Sequence, residues 1–405
     1  MAGNRAKELS SPPPPPENQN KTVKVHVGVF FDGTGAGGAL SRGRDKSNVE
    51  LLHTYYPTTK ENYVCELYLK GIGVADSAGD VVKGVLKGGL KGAAVGGAVG
   101  GVVGGVIGGI TGAIVETQAG GLAAGTGTMG IETKVKKAIK DIPGKVLEKK
   151  IPKEANIDLH FELFGFSRGA AAARHFVRQI TKKKTSTMDS LVKKLKSKKY
   201  KINDITISYV GLFDTVSSHG INHKNDVKTL GLDAIKEAKH VFHICAADEF
   251  RANFALTNIQ SAEKKGTEIF IPGSHTDVGG GIDPKWKNNA SKYGDGWTDS
   301  SENVESGYSH IALNIMATES NKERKKFNNI EFYKVPDDLK ATEQTIQNNM
   351  SRLKSAENCF NLQEFKYKDL RAKWLHFSAA ESGLSSVIDS PRIVEGKLKR
   401  ELIHG

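Results

Sequence analysis

The sequence predicts an α/β fold in which helices cover both faces of a mostly parallel β-sheet. Segments with the pattern of buried strands alternate along the chain with segments of helical pattern, which is typical of this architecture. The first predicted strand turns fully apolar, as expected for a strand that is buried on both sides. Hydrophobic residues make up 38% of the 405 residues and charged residues 25%, so the chain can bury a large core.

The first three elements are predicted in the amino-terminal part of the chain. Residues 23–31 alternate and then become apolar, which predicts a buried strand that ends at the turn sequence DGTG after Phe31. A helix is predicted to begin near Ser47, because Ser47 or Asn48 can accept a hydrogen bond from its first free amides. Residues 61–70 predict a second strand.

Strands and helices continue to alternate in the middle of the chain. The predicted elements are a basic helix at 132–151, a strand at 157–164, a helix at 168–182, a strand at 205–213 and a short strand at 268–271. The tail from residue 357 onward combines helical patterns with an apolar run at residues 374–377.

The composition divides the chain into an arm and one domain. Residues 1–22 are polar and contain a run of prolines at 12–16, which predicts a proline-rich disordered arm. Residues 23–405 are expected to form a single domain of the predicted fold. Within it we expect a glycine-rich insertion at 74–130 and a lysine-rich segment at 182–201.

The glycine-rich insertion allows two interpretations. Between Lys91 and Glu116 lie 24 residues without a charge, ten of them glycine, and pairs of glycines recur every fourth residue. As a helix this stretch would be about 36 Å long, enough to cross a bilayer. So many glycines disfavour an isolated helix in water. The segment is therefore either a flexible or packed soluble insertion, or a glycine zipper (residues 92–115) that pairs or inserts in a target membrane.

The basic charge of the chain favours anionic partners. The formal net charge is +13, and residues 182–201 hold nine lysines against the single acid Asp189. Such a run is either a solvated helix face or a surface that docks on anionic lipid. Because the sequence carries no nucleic-acid-binding motif or interleaved aromatic residues, we expect no nucleic-acid partner.

The three cysteines exclude two classes of protein. Cys65, Cys245 and Cys359 stand far apart, and no CxxC pair occurs in the sequence. A disulfide scaffold and a cysteine-based zinc site are therefore excluded, and the cysteine content is typical of a chain that folds in a reducing cytosol.

The strongest local motif is the sequence Gly-Phe-Ser-Arg-Gly around Ser167. It follows directly on a predicted buried strand and opens an alanine-rich helix, which is the arrangement that a nucleophile elbow requires. The flanking Gly165 and Gly169 leave room for a strained turn. Ser167 is therefore predicted to be a nucleophile, and the amide of Arg168 at the helix start is a predicted oxyanion donor.

A serine nucleophile needs a base and an acid that orients it. Asp214 follows the predicted strand 205–213, and His275 follows a later short strand, so the chain order is nucleophile, acid, base. His376 is a rival for the base, although a histidine among apolar residues is more often part of the core. Asp277 either orients a base or caps the glycine-rich turn that follows it.

A second oxyanion donor is expected from the loop after the first strand. The amides of Gly33 and Thr34 are closely spaced there and are not obstructed by large side chains. Asp32 can hold this loop by accepting backbone hydrogen bonds. The chemistry of these groups requires no metal and no cofactor, and the spacing of known phosphate-binding loops is absent.

Several motifs together resemble a known family. FFDGTG, SNV, YLKGIG, GFSRGAAAARHF, GLFDTV, ADEFR and PGSHTDVGGG occur in that order, followed by WLHFSA and by Pro391-Arg392. Together they resemble the α/β-hydrolase family that includes the GxSxG phospholipase effectors of bacterial type VI secretion. The resemblance implies hydrolysis of glycerophospholipid acyl esters, with Ser167 as nucleophile and Asp214 and His275 as its partners.

The resemblance also implies where the protein acts and with what. The amino-terminal residues do not have the pattern of a secretory signal. We therefore expect a cytoplasmic protein that is later delivered into the periplasm or membrane of a target bacterium. The expected partners are the target cell's phospholipid membrane, a cognate immunity protein and a component of the secretion apparatus. Two other functions remain open: a membrane-perturbing glycine-zipper toxin, and a serine esterase that acts on a non-lipid ester.

Overall fold

The structure is a computed structural model, and it describes most of the predicted domain. The described residues are 22–38, 41–58, 63–76, 130–182, 186–217, 226–294, 296–324, 327, 333–379 and 390–405. The predicted proline-rich arm and nearly all of the predicted glycine-rich insertion lie outside these residues, so both stay predictions.

The described strands form a large parallel sheet and two small ribbons. They are β1 (Thr22–Phe31), β2 (Val64–Leu69), β3 (Asn156–Phe166), β4 (Lys201–Phe213), β5 (His240–Ala246), β6 (Leu256–Thr257), β7 (Gly266–Ile271), β8 (Ile393–Val394), β9 (Lys397–Leu398) and β10 (Leu402–Ile403). The large sheet has the order β2-β1-β3-β4-β5-β7, and every neighbouring pair in it is parallel. The predicted parallel sheet is thereby confirmed.

Strand β5 is an interior strand of the large sheet that the sequence patterns do not predict. Its residues HVFHICA contain two histidines, which interrupt the apolar run. In the structure His243 is nevertheless fully buried. Its imidazole forms hydrogen bonds with polar groups on neighbouring elements, so a polar residue is tolerated in an interior strand of the sheet.

The described helices surround this sheet. They are α1 (Asn48–Tyr55), α2 (Ile131–Leu147), α3 (Arg168–Thr181), α4 (Ser186–Lys196), α5 (Val227–Leu230), α6 (His275–Gly279), α7 (Ser309–Glu323), α8 (Lys340–Asn349), α9 (Ala356–Phe360) and α10 (Tyr367–Lys373), with 3₁₀ turns at Leu232–Glu237, Gln260–Lys265, Ser291–Tyr293 and Asp337–Leu339. Helix α1 begins where predicted, because the Ser47 side chain accepts a hydrogen bond from the Glu50 amide. No helix within the described ranges has the length and apolar character needed to span a bilayer.

Helices bury both faces of the sheet. On one face α1 and α7 pack over residues such as Phe30 of β1 and Phe164 of β3. On the other face α2 and α3 pack over the alternate residues, such as Val29 and Leu163. Because successive side chains of a strand point to opposite faces, a strand between two helical layers is mostly apolar at successive positions. This explains the apolar runs in the sequence.

The lysine-rich segment lies at the amino-terminal edge of the sheet. Helix α4 buries Leu191 and Leu195, while its lysines are exposed. The helix leads directly into the amino end of β4. The carboxyl ends of the parallel strands lie at the opposite edge, so this basic surface is remote from the loops that follow those ends.

The core of the sheet provides a stability prediction. Phe164 is fully buried and stacks on Phe30, with 5.0 Å between the ring centroids. We expect Phe164→Ala to lower the free energy of unfolding by about 3–5 kcal/mol, because it removes buried apolar surface and leaves a cavity. Phe360→Ala, at a position that is 38% exposed, is the matched control and should cost less than about 1 kcal/mol. Urea denaturation followed by circular dichroism measures both, and equal losses would contradict this placement of the core.

Candidate active site

Ser167 lies in the turn between β3 and α3, in a backbone conformation that residues with side chains rarely adopt. Its φ is 59° and its ψ is −129°, outside the regions favoured for L-amino acids. The neighbouring strand holds this turn. The Ser167 amide donates to the carbonyl of Phe213 at 3.0 Å, and the Ser167 carbonyl accepts from the amide of Val216 at 3.3 Å. This geometry is typical of a nucleophile elbow.

The two glycines of the motif are required by the close approach of backbone segments. A Cβ at Gly169 would lie 2.2 Å from the carbonyl oxygen of Phe31, and one at Gly165 would lie 2.6 Å from the Cα of Ala170. Neither position can hold a larger residue unless the backbone moves. The start of α3 therefore packs directly against the end of β1, next to the loop that begins at Asp32.

The acid and the base predicted from the chain order are in contact. Nδ1 of His275 lies 2.5 Å from Oδ2 of Asp214, and it donates to the ionised carboxylate. The imidazole packs against Phe166, the residue before Ser167, with 4.6 Å between centroids, and against Phe254 at 5.1 Å. Nε2 of His275 is buried and has no hydrogen-bond partner in the described part of the chain. This nitrogen is the atom that can accept a proton.

Neighbouring charges keep Asp214 ionised, and burial keeps His275 neutral. Burial opposes ionisation of Asp214, but the guanidinium of Arg400 and the imidazole of His275 outweigh it and hold the pKa of Asp214 well below its usual range. Burial lowers the pKa of His275, and the adjacent Asp214 offsets only part of this effect. At neutral pH the imidazole is therefore in the form that acts as a base.

His376 belongs to a second aspartate–histidine pair. Its Nδ1 lies 2.5 Å from Oδ1 of Asp277, and its backbone amide donates to Oδ2 of the same carboxylate at 3.0 Å. Asp277 also accepts hydrogen bonds from the amide and hydroxyl of Ser274, and so caps helix α6. The structure thus places His376 with Asp277, and only His275 with Asp214. Asp277 and His376 together stabilise the helix that begins with His275.

The two backbone amides predicted as oxyanion donors in the loop after β1, those of Gly33 and Thr34, have different surroundings. The Gly33 amide donates to Oδ1 of Asp32 at 2.6 Å, so it is already occupied. Thr34 lies beside the elbow, because its hydroxyl accepts a hydrogen bond from Nε of Arg168 at 2.8 Å. The amide of Arg168 is in the first turn of α3, where a helix provides no acceptor. The amides of Thr34 and Arg168 are therefore the better candidates for an oxyanion site.

Asp32 accepts hydrogen bonds from this loop and from the neighbouring strand β2. Besides the Gly33 amide, its carboxylate accepts the hydroxyl of Tyr68 at 2.5 Å. Burial raises the pKa of Asp32 to about 6, although its hydrogen bonds oppose the shift.

Two charged residues around the site are not among the residues predicted from the sequence. Arg400 makes a two-point contact with Asp214. Glu249 accepts hydrogen bonds from the backbone amide of His275 at 3.3 Å and from the hydroxyl of Ser378 at 2.9 Å. Glu249 lies three residues after the end of β5. An acidic residue in the loop after a buried strand is a signal that could have identified it as a site residue. No local pattern singles out Arg400, because its partner lies far away in the sequence.

One group of potential metal ligands occurs within the described residues, and its donors are already used. His243, Cys245 and Glu268 place one ligand atom each within 4.8 Å of one another. However, Nε2 of His243 accepts a hydrogen bond from the Thr215 amide at 3.0 Å, and Nδ1 donates to Oε2 of Glu268 at 2.8 Å. The group therefore fits a satisfied buried hydrogen-bond network better than a metal site. Its contact with Thr215 supports the residue next to Asp214.

The fold and the position of these residues define a class of protein. A parallel sheet with helices on both faces, and a strained serine at the end of a central strand, are the features of the α/β-hydrolase class. Residues 177–319 match the family model described as "T6SS, Phospholipase effector Tle1-like, catalytic domain". This range contains Asp214 and His275 and begins after Ser167.

A solved structure shares this fold. The "Structure of the Tle1 effector bound to the VgrG spike from the Type 6 secretion system" is similar with a TM-score of 0.63 and 17% identity, over 95% of this chain and 94% of that chain. An uncharacterized protein from Pseudomonas aeruginosa has a TM-score of 0.40 and 18% identity, over 85% of this chain and 56% of that chain. No curated protein matches the sequence. The family model that matches residues 177–319 describes the same family that the sequence motifs resemble, and the Tle1 structure shares the fold of this chain.

The contacts of Gly169 lead to a prediction about the elbow. We expect Gly169→Ala to lower the free energy of unfolding by more than about 2 kcal/mol, because the added methyl group meets two carbonyl oxygens of the β1 end. Gly144→Ala in α2 is the matched control. Nothing lies within 4 Å of its added methyl group, so it should raise the free energy by about 0.5–1 kcal/mol. Thermal and urea unfolding measure both, and a neutral Gly169→Ala would contradict the packing described.

The pKa of Asp32 provides a pH prediction. Between its ordinary value of 3.8 and about 6, the folded chain binds more protons at this group than the unfolded chain. The contribution of Asp32 to stability therefore falls as the pH rises through this window. Relative to wild type, Asp32→Asn should gain up to about 3 kcal/mol of unfolding free energy between pH 4 and pH 7.

Urea denaturation at a series of pH values checks this expectation. Asp204→Asn, at an exposed position, is the control and should remain parallel to wild type. A constant difference between Asp32→Asn and wild type would show that Asp32 does not titrate in this window.

Proposed function

We propose that this chain is a serine phospholipase of the A type that hydrolyses acyl esters of membrane glycerophospholipids. The family match supports a phospholipase effector of type VI secretion. The observation that carries the serine mechanism is the strained conformation of Ser167, with φ of 59°, at a strand end beside the buried pair of Asp214 and His275. Backbone strain of this kind persists only where the surrounding structure maintains it, and it is concentrated at functional sites.

The mechanism follows from the positions of these side chains. Nε2 of His275 removes the proton of Ser167 as the serine oxygen attacks the acyl carbonyl. Asp214 holds the imidazole through Nδ1 and stabilises its charged form. The amides of Arg168 and Thr34 stabilise the oxyanion, each contributing roughly 3 kcal/mol. His275 then protonates the leaving alcohol, and water releases the fatty acid from Ser167 in a second step.

The proposed cellular role is that of an antibacterial effector delivered into a neighbouring bacterium. The similar solved structure is a Tle1 effector bound to the VgrG spike, so we infer a spike component as the loading partner. A cognate immunity protein in the producing cell and the phospholipid membrane of the target cell complete the set of proposed partners. The net charge of +13 favours encounter with anionic membranes.

Fatty-acid release tests the proposed function directly. Purified wild type and Ser167→Ala are incubated with vesicles of phosphatidylethanolamine and phosphatidylglycerol, and the released fatty acids are measured. We expect wild type to release fatty acid and Ser167→Ala to lose at least about a thousandfold of the rate. Ser190→Ala, which changes an exposed serine of α4, should match wild type.

The other outcomes identify the alternatives. Undiminished release by Ser167→Ala would exclude Ser167 as the nucleophile. Dye leakage from the vesicles without fatty-acid release would favour the membrane-perturbing toxin. Hydrolysis of soluble esters without hydrolysis of phospholipids would favour a serine esterase with another substrate.

A further inference from the structure

The segment formed by residues 390–405 folds back over the carboxyl edge of the sheet. Its strand β10 pairs in parallel with β6, in the register Leu402 with Leu256. Backbone hydrogen bonds tie it to the loop after β5, including one from the amide of Arg392 to the carbonyl of Phe250 at 2.8 Å. The segment is therefore fixed beside the loops that carry the candidate site.

This segment brings Arg400 onto the carboxylate of Asp214. Nη1 of Arg400 donates to Oδ1 at 2.6 Å, and Nη2 donates to Oδ2 at 2.8 Å. Two further N–H groups are also used, because Nε donates to the carbonyl of Phe254 at 3.0 Å and Nη1 also donates to that of Ala246 at 3.1 Å. The side chain is 5% exposed. A planar guanidinium held at this many points fixes the plane of the carboxylate as well as its position.

The orientation of Asp214 determines the orientation of His275. Its Oδ2 accepts from both Nη2 of Arg400 and Nδ1 of His275, while Oδ1 also accepts the amide of Ala246 at 2.9 Å. If the carboxylate rotated, Nδ1 of His275 would lose its acceptor, and Nε2 would no longer point in a defined direction. The imidazole depends on Arg400 through this one carboxylate.

The groups that face His275 are balanced in charge. The anions are Asp214 and Glu249, and the cations are Arg400 and Arg251, which pairs with Glu249 at 2.8 Å. Burial raises the pKa of the nearby Cys245 thiol, which is therefore neutral. Loss of the Arg400 charge would leave a net negative charge around the imidazole. A negative charge favours the protonated imidazolium, which cannot act as a base.

We propose that Arg400 is a positioning residue that orients Asp214, and through it His275, and that keeps His275 unprotonated in the working pH range. The inference rests on the proposed function, since it assigns the role of Arg400 in the same site. Arg400 acts through Asp214 and does not need to touch the substrate.

The test is a pH profile of hydrolysis by Arg400→Gln. A soluble short-chain phosphatidylglycerol below its micellar concentration is the substrate, so that membrane binding does not affect the rates. We expect kcat to fall by about 10- to 100-fold with little change in KM, since the base is misplaced and not the substrate. We also expect the acid limb of the profile to move to higher pH by about 0.5–1 unit, because the imidazole is easier to protonate.

Two further variants separate positioning from a purely structural role. Arg392→Gln changes an arginine of the same segment and should keep the profile of wild type. Arg400→Lys keeps the charge but loses the two-point contact, so kcat should fall by about tenfold while the acid limb stays in place. This variant also serves if Arg400→Gln fails to fold, which circular dichroism shows.

The outcomes distinguish this inference from the proposed function. Wild-type rates and an unshifted acid limb in Arg400→Gln, with an active wild type, would overturn the role of Arg400 and leave the phospholipase intact. A uniform loss of rate without a shift, shared by Arg392→Gln, would also overturn it, because the segment would then be only structural. If wild type itself releases no fatty acid, the proposed function fails instead.

Discussion

The hydrogen bond between the Ser167 amide and the Phe213 carbonyl is the contact on which the candidate site depends. Strands β3 and β4 are parallel neighbours whose last residues, Phe166 and Phe213, are paired in register. Ser167 and Asp214 directly follow these two paired residues, so they lie at the same height along the strand direction. Each has a positive φ, of 59° and 44°, which costs on the order of 1–3 kcal/mol per residue. The packing of the sheet must offset this cost.

Buried ion pairs connect the loops at this edge. Three carboxylates each pair with an arginine and also accept a backbone amide: Asp214 with Arg400 and the Ala246 amide, Asp248 with Arg371 and the Gly273 amide, and Glu249 with Arg251 and the His275 amide. A buried charge is costly unless it is both paired and hydrogen-bonded. The pairs of Asp214 with Arg400 and of Asp248 with Arg371 therefore join segments that lie far apart in the chain. Glu249 pairs with an arginine of its own loop and reaches helix α6 through the His275 amide. Together these contacts hold the loops that carry Asp214 and His275 in one geometry.

The two aspartate–histidine pairs have different consequences because of what surrounds them. Asp277 caps α6 and accepts the backbone and side chain of His376, so it holds the helix that begins at His275. Asp214 instead accepts His275 beside Phe166, directly next to the elbow. The same kind of contact thus supports the scaffold in one case and completes the candidate site in the other.

Local patterns in the sequence are enough to predict the parallel α/β sheet, the motif around Ser167 and the chain order of Ser167, Asp214 and His275. These features depend on local patterns: apolar runs mark buried strands, and the two glycines mark a turn too tight for side chains. Strand β5 is not predicted, because His243 interrupts its apolar run. In the fold, His243 forms hydrogen bonds with Thr215 and Glu268.

Three contacts follow from the fold and from no local pattern: His275 pairs with Asp214, the Gly33 amide is occupied by Asp32, and Arg400 contacts Asp214. Asp214 and Arg400 lie 186 positions apart. Contacts across such a separation depend on how the strands order themselves in the sheet, and no periodicity along the chain encodes that order.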